Sequence, residues 1–152
     1  MATMRLEIIT AERRVYSDDV EVVVAPGIEG QLGILPHHAP LMTALQPGEL
    51  MIRKGGQETY LAVTGGFMEV MGNRVTILAD AAEHSEEIDE ARAQAAIQQA
   101  EERLARRGSD LELEQALRAM QRAQVRLNVA RRRRERGPTG ARPGAGSPGT
   151  AP

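Results

Sequence analysis

Residues 26–48, PGIEGQLGILPHHAPLMTALQPG, set four prolines and four glycines among apolar residues and two adjacent histidines. The stretch is too apolar for a linker and too often broken for a helix. Glycine opens backbone angles that other residues avoid and proline fixes its own, so the mixture dictates a turn-rich, defined path. That path either builds a tight β fold or displays Glu29, His37 and His38 for some purpose. The flanking sequence decides between the two.

Upstream, Met4–Ile9 (MRLEII) reads as a strand, Val15-Tyr16 as a short second strand closed by Ser17-Asp18-Asp19, and the β-branched Val20–Ala25 as a third. Within the Pro/Gly stretch, Gln31–Leu35 and Leu41–Leu45 are short strands between turns. Downstream, Leu50–Arg53 and Thr59–Thr64 flank Gly55-Gly56 as a hairpin, and Phe67–Met71 and Val75–Ala79 flank Gly72-Asn73 as another. Short strands at this spacing predict an all-β sandwich or barrel over about residues 3–80.

The pattern changes at Asp80. From there to Arg136 the chain has no proline and one glycine, and helix formers dominate. Asp89 is placed to cap a helix whose Ala93, Ile97, Ala100 and Leu104 share one face. Arg106-Arg107 close its last turn, with Gly108 suited to the left-handed position beyond it. Ser109 and Glu112 have capping-box spacing. They open a second helix with Leu113, Ala116, Leu117, Met120, Ala123, Leu127 and Ala130 on one stripe. Two amphipathic helices joined by a short turn form an antiparallel hairpin. Five of these eleven stripe residues are alanine, which lets helices approach closely but holds them weakly. The organisation is thus α+β: a sandwich over residues 1–82, a helical hairpin over 83–136, and a Pro/Gly-rich tail over 137–152 with the composition of a disordered segment.

Composition narrows the function. The chain has no cysteine, so it carries neither a disulfide framework nor thiolate chemistry, and no apolar run of about 18 residues that would span a membrane. Aromatics are 2%, too few for base stacking on single-stranded nucleic acid. Residues 1–100 hold 7 Lys/Arg against 15 Asp/Glu, whereas residues 101–152 hold 12 against 6. Two parts of opposite charge suggest different partners.

No catalytic constellation emerges. His37 and His38, if on a strand, point to opposite faces and do not ligate one metal, and no helical His-x-x-x-His exists. No serine sits in a nucleophile-elbow pattern, and no phosphate loop precedes the single lysine, Lys54. The basic second helix stands out instead. Arg118, Arg122 and Arg126 step by four, and Arg131, Arg132, Arg133 and Arg134 extend them. These arginines either complement the helix dipole or meet an anionic partner: an acidic protein surface, a nucleotide phosphate or nucleic acid. A nucleic-acid module using this helix, and a small hydrolase using His38, are the competing readings; the scarce aromatics and the missing nucleophile speak against them.

The run Ile28–Leu41 (IEGQLGILPHHAPL) resembles the signature of the epsilon subunits of F-type ATP synthases. The likeness continues through Leu45-Gln46-Pro47-Gly48, Gly65–Val70 (GGFMEV), Ala79–Glu83 (ADAAE) and Ile88–Ala93 (IDEARA), in order over about residues 4–130. It implies a sandwich of about ten strands followed by the helix hairpin. It also implies a non-catalytic subunit of the rotating central stalk that couples rotation to ATP synthesis, at the cytoplasmic face of the bacterial inner membrane and peripheral to it through the complex. The implied partners are the gamma subunit and the c-ring, and the alpha and beta subunits when the hairpin extends and restrains ATP hydrolysis. Ile28, Glu29, Gly30, Gln31 and His38 match the c-ring-facing loop. Glu83, Ile88, Asp89, Arg92, Ala93, Arg122 and Arg126 match a site that binds regulatory ATP in some members, with no cofactor otherwise required. Arg118, Arg122, Arg126 and Arg131–Arg134 form the inhibitory basic face.

Overall fold

A computed structural model describes residues 2–106 and 108–136, the last three without their side chains. Arg107, the Arg134 side chain and the tail over 137–152 lie outside the described residues.

The ten strands are β1 (Met4–Ile9), β2 (Arg14–Val20), β3 (Val22–Gly27), β4 (Gly30–Ile34), β5 (Leu41–Leu45), β6 (Gly48–Lys54), β7 (Gln57–Val63), β8 (Gly66–Met71), β9 (Arg74–Ala79) and β10 (Ala82–His84). A 3-10 turn at Ser85–Glu87 leads to α1 (Glu90–Ala105) and α2 (Asp110–Arg136). The hydrogen-bonded path runs β10-β7-β6-β3-β5-β8-β9-β1-β2, with β4 added on β3. Among the described residues only β1 and β9 pair in parallel. The sheet folds over itself: the Glu21 amide donates to the Arg53 carbonyl at 2.9 Å, and Lys54 on β6 pairs with Asp18 on β2. That ion pair holds the Asp18 carboxyl below its ordinary pKa, chiefly through the hydrogen bond from Lys54. Alternation places Leu6, Ile8, Val23, Ile52, Leu61, Val63, Met68, Val70, Val75 and Ile77 inside, all nearly fully buried.

Turn chemistry explains the tight connections. Gly55 and Gly56 sit at φ 58° and 76°, as a two-residue hairpin turn requires. At Gly66, a side chain would place its Cβ 2.0 Å from the Leu78 carbonyl oxygen, so only glycine lets β8 and β9 meet there.

Three expectations are corrected. The second strand does not close at Ser17; it runs to Val20, because its polar residues lie along the edge of the sheet and are paired from β1 and β6. Arg5 donates to Ser17 Oγ at 2.7 Å. The strand read over Val20–Ala25 is broken at Glu21, where the chain turns a corner from β2 into β3, and the Glu21 carboxylate accepts from the Gly55 amide at 2.8 Å. The residues alone predict nine strands; the tenth, β10, which completes the number the resemblance implies, pairs with β7.

The two helix starts cap as read. Asp89 accepts from the Arg92 amide at 3.2 Å. Ser109 and Glu112 each accept from the other's amide at 3.3 Å. The seam is closed by Ala93 and Ala100 against Ala116, Ala123, Leu127 and Ala130, while Leu117 lies 46% exposed, outside the stripe assigned to it. Val129 is buried instead. The reason is length: α2 has 27 residues to the 16 of α1. It therefore runs on by about 16 Å at 1.5 Å per residue, and its last third must satisfy two neighbours, α1 and the sandwich.

Candidate functional site

The sandwich contacts the helix pair through α2. A small second core joins Ala62, Ile88, Val129 and Ala130, with Tyr60 and Val125 against it. Arginines ring this patch. Arg126 Nε lies 2.7 Å from Glu83 Oε2 on β10, and Arg132 Nη1 lies 2.6 Å from Glu49 Oε1 on β6. Arg133 Nη1 donates to the Ser85 carbonyl at 2.6 Å. Arg131 faces Glu90, at the start of α1, at 3.6 Å. The expected basic face is therefore not one uniform stripe. Steps of four residues drift about 40° each around a helix of 3.6 residues per turn. Arg118, paired locally with Glu114 at 3.0 Å, and Arg122 consequently point to solvent while Arg126 has turned onto the sandwich. Further along the hairpin an open cleft of about 360 Å³ lies between Gln46 and Pro47 on one side and Ile97, Met120 and Val125 on the other.

The residues matched to regulatory ATP are partly committed elsewhere. Ile88 and Ala93 are buried, Asp89 caps α1, and Arg126 is bound to Glu83. The Arg92 side chain is 84% exposed, and Arg122 is exposed too. Arg92 is paired loosely with Asp89 at 3.7 Å but is largely exposed, whereas Arg126 reaches a phosphate only by giving up Glu83 at 2.7 Å.

The residues matched to the c-ring loop are divided. Ile28 and Glu29 form the tip of the β3–β4 ribbon, with Gly27 opposite Gly30 and Gln31 opposite Pro26. Ile28 is 62% exposed, and its amide is fixed by the Ala44 carbonyl at 3.0 Å. His38 lies past the other end of β4, at least about 10 Å further along at 3.3 Å per residue. His37 and His38 are not on a strand: they occupy a turn, His37 at φ 63°, both exposed. Among the described residues no group of three or more His, Cys, Asp or Glu side chains is placed to hold a metal.

The sequence reading missed one surface. On the outer face of the sheet, Ala44, Phe67, Leu78 and Ile9 stand in register across β5, β8, β9 and β1. Met42, Phe67, Met71 and Leu78 are each more than half exposed. The signal was present in GFMEVM: with Met68 and Val70 facing in, Phe67 and Met71 must face out, and a strand with large apolar residues on both faces has a partner on each.

A rigid β body with an exposed apolar face, tethered to a weakly held basic helix pair, is the architecture of a docking subunit rather than of an enzyme. Residues 3–85 match the beta-sandwich domain of the ATP synthase Delta/Epsilon chain, and residues 86–131 match its long alpha-helix domain. The chain is 55% identical over 133 residues to the ATP synthase epsilon chain of Herpetosiphon aurantiacus, covering 88% of this chain and 98% of that one. It is 55% identical over 139 residues to the epsilon chain of Dehalococcoides mccartyi, covering 89% and 97%. A chain in the cryo-EM structure of the Euglena gracilis mitochondrial ATP synthase superposes with a TM-score of 0.72 at 23% identity, covering 82% of this chain and 79% of that one, a likeness of fold alone. The chain belongs to the ATP synthase delta/epsilon family, and within it to the epsilon chains, which are non-catalytic subunits of the synthase.

Proposed function

We propose that the chain serves in the rotating central stalk of a bacterial F-type ATP synthase, peripheral to the cytoplasmic face of the inner membrane. Its sandwich docks on the gamma subunit and the c-ring, and its helix pair restrains ATP hydrolysis by reaching the alpha and beta subunits. The observation that carries this reading is the apolar row Ala44-Phe67-Leu78-Ile9, which a stable subunit buries on a partner. Among the described residues no helix is long and apolar enough to cross a membrane; in this reading attachment runs through the complex. The exposed Ile28-Glu29 tip supplies the c-ring contact, stiffened by the Gly27–Gly30 closure beneath it. Co-purification with gamma and the c-ring tests the assignment. Phe67→Glu with Leu78→Glu removes the chain from the complex while leaving its own fold intact; a doubly substituted chain that still co-purifies overturns it.

Regulatory ATP belongs to the same reading. Arg92 and Arg122 hold phosphate oxygens, and Arg126 exchanges Glu83 for another. ATP titration of the isolated chain tests this: Arg122→Ala weakens binding about tenfold, a loss of about 1.4 kcal/mol, and equal affinities for both chains remove Arg122 from the site.

A further inference from the structure

We infer that Asn73 is the positioning residue for the Pro36–His38 turn, its carboxamide tying that turn to the start of β1. The inference rests on the reading of His38 as a rotor contact.

His37 is held at φ 63°, a left-handed backbone that a residue with a side chain adopts only when its surroundings hold it there. The His38 amide closes the turn onto the Leu35 carbonyl at 3.2 Å. What binds the turn to the rest of the sandwich is the His37 amide, which donates to Asn73 Oδ1 at 2.9 Å. The other end of the same carboxamide is also in use: Asn73 Nδ2 donates to the Thr3 carbonyl at 2.9 Å. The Asn73 backbone carbonyl accepts from the Arg5 amide at 3.1 Å. One residue on the β8–β9 turn therefore joins three segments far apart in sequence.

The residue type suits the task. Asn73 itself sits at φ 58°, where asparagine is tolerated far better than most residues. Its side chain offers an acceptor and a donor from one planar group, and only one orientation of the amide satisfies both partners. Aspartate keeps the acceptor for His37 but sets a second oxygen against the Thr3 carbonyl. Glycine keeps the turn and deletes the tie.

Amide hydrogen exchange on the full chain, read at His37, tests the tie directly. Asn73→Gly accelerates exchange at His37 about tenfold or more with the thermal midpoint of the sandwich little changed, and Asn73→Asp, left with the His37 acceptor alone, restores part of the protection. Unchanged exchange at His37 in Asn73→Gly overturns the inference. The same variants assembled into the synthase read the consequence. Asn73→Gly lowers affinity for the rotor about tenfold, and Asn73→Asp, which keeps the acceptor for His37 but loses the donor to Thr3, recovers only part of it. Accelerated exchange with unchanged rotor affinity leaves the tie standing and removes His38 from the contact surface instead.

Discussion

Inside the sandwich, Leu6, Ile8, Leu50, Ile52, Leu61 and Ile77 are fully or almost fully buried among one another, whereas the seam of the helix pair is closed largely by Ala93, Ala100, Ala116 and Ala123. Burying a leucine or isoleucine side chain stabilises by about 1.5–3 kcal/mol, and an alanine methyl by about 0.8 kcal/mol. The sandwich can thus hold its shape under load. The hairpin holds its place through one small apolar patch and the arginines around it. The proposed function, with torque carried by one part and the other changing position, needs this inequality.

The largest expected effect breaks the stronger region. Leu61→Ala removes about 2–5 kcal/mol from the sandwich, with the cavity it leaves included. Urea unfolding followed by tyrosine fluorescence in a Tyr60→Phe background checks this, since Tyr16 packs against the sandwich core whereas Tyr60 lies against the helix patch. If the two regions differ as described, the helical signal of that background alone is lost at lower urea than the tyrosine signal; a single coincident transition contradicts the comparison.

Next in size is the turn between the helices. Ser109→Ala deletes one half of a reciprocal cap and lowers hairpin stability by about 1 kcal/mol, read as reduced helicity with the tyrosine transition unmoved. Smaller still is the arginine clasp. The Glu83 and Arg126 side chains are 36% and 26% exposed, so Glu83→Gln weakens docking by at most about 1 kcal/mol after solvent screening. A distance probe between hairpin and sandwich reports it. Raising salt from about 0.1 M to about 1 M shortens the screening length from about 10 Å to about 3 Å and loosens docking in the same direction. Docking indifferent to both salt and Glu83→Gln leaves the apolar patch as the sole tie.

The smallest effect is a pH dependence in the sandwich. The folded Asp18 carboxyl titrates below its ordinary value because of Lys54. Its contribution is present above the ordinary carboxylate pKa and is lost as pH falls through the lowered one. Asp18→Asn flattens that acid limb of the stability curve; an unchanged limb assigns it to other carboxylates.

What the sequence made legible follows from where the local signals are strong. Alternation in MRLEII and the Gly55-Gly56 and Gly72-Asn73 turns located strands and hairpins, and Asp89, Ser109 and Glu112 located helix starts, because capping and turn chemistry act over a few residues. The break at Glu21 and the short β10 escaped because each depends on which distant strand lies alongside, β6 for one and β7 for the other. The arginines were legible as a charged face but not as a clasp, since their acceptors Glu83, Glu49 and Ser85 lie more than forty residues away. His38 was matched with Ile28–Gln31 through the family resemblance, which carries no distances, and β4 places it at the opposite end of the strand from the Ile28-Glu29 tip.

The central claim is that the hairpin alone carries the brake while the sandwich carries the attachment. ATP hydrolysis by the catalytic sub-complex, measured with the full chain and with a chain ending at Ile88, tests it most directly, because the shorter chain keeps all ten strands. The account predicts that both chains bind, that the full chain slows hydrolysis, and that the shortened chain leaves the rate where it stands without either. Equal inhibition by the two chains would contradict it.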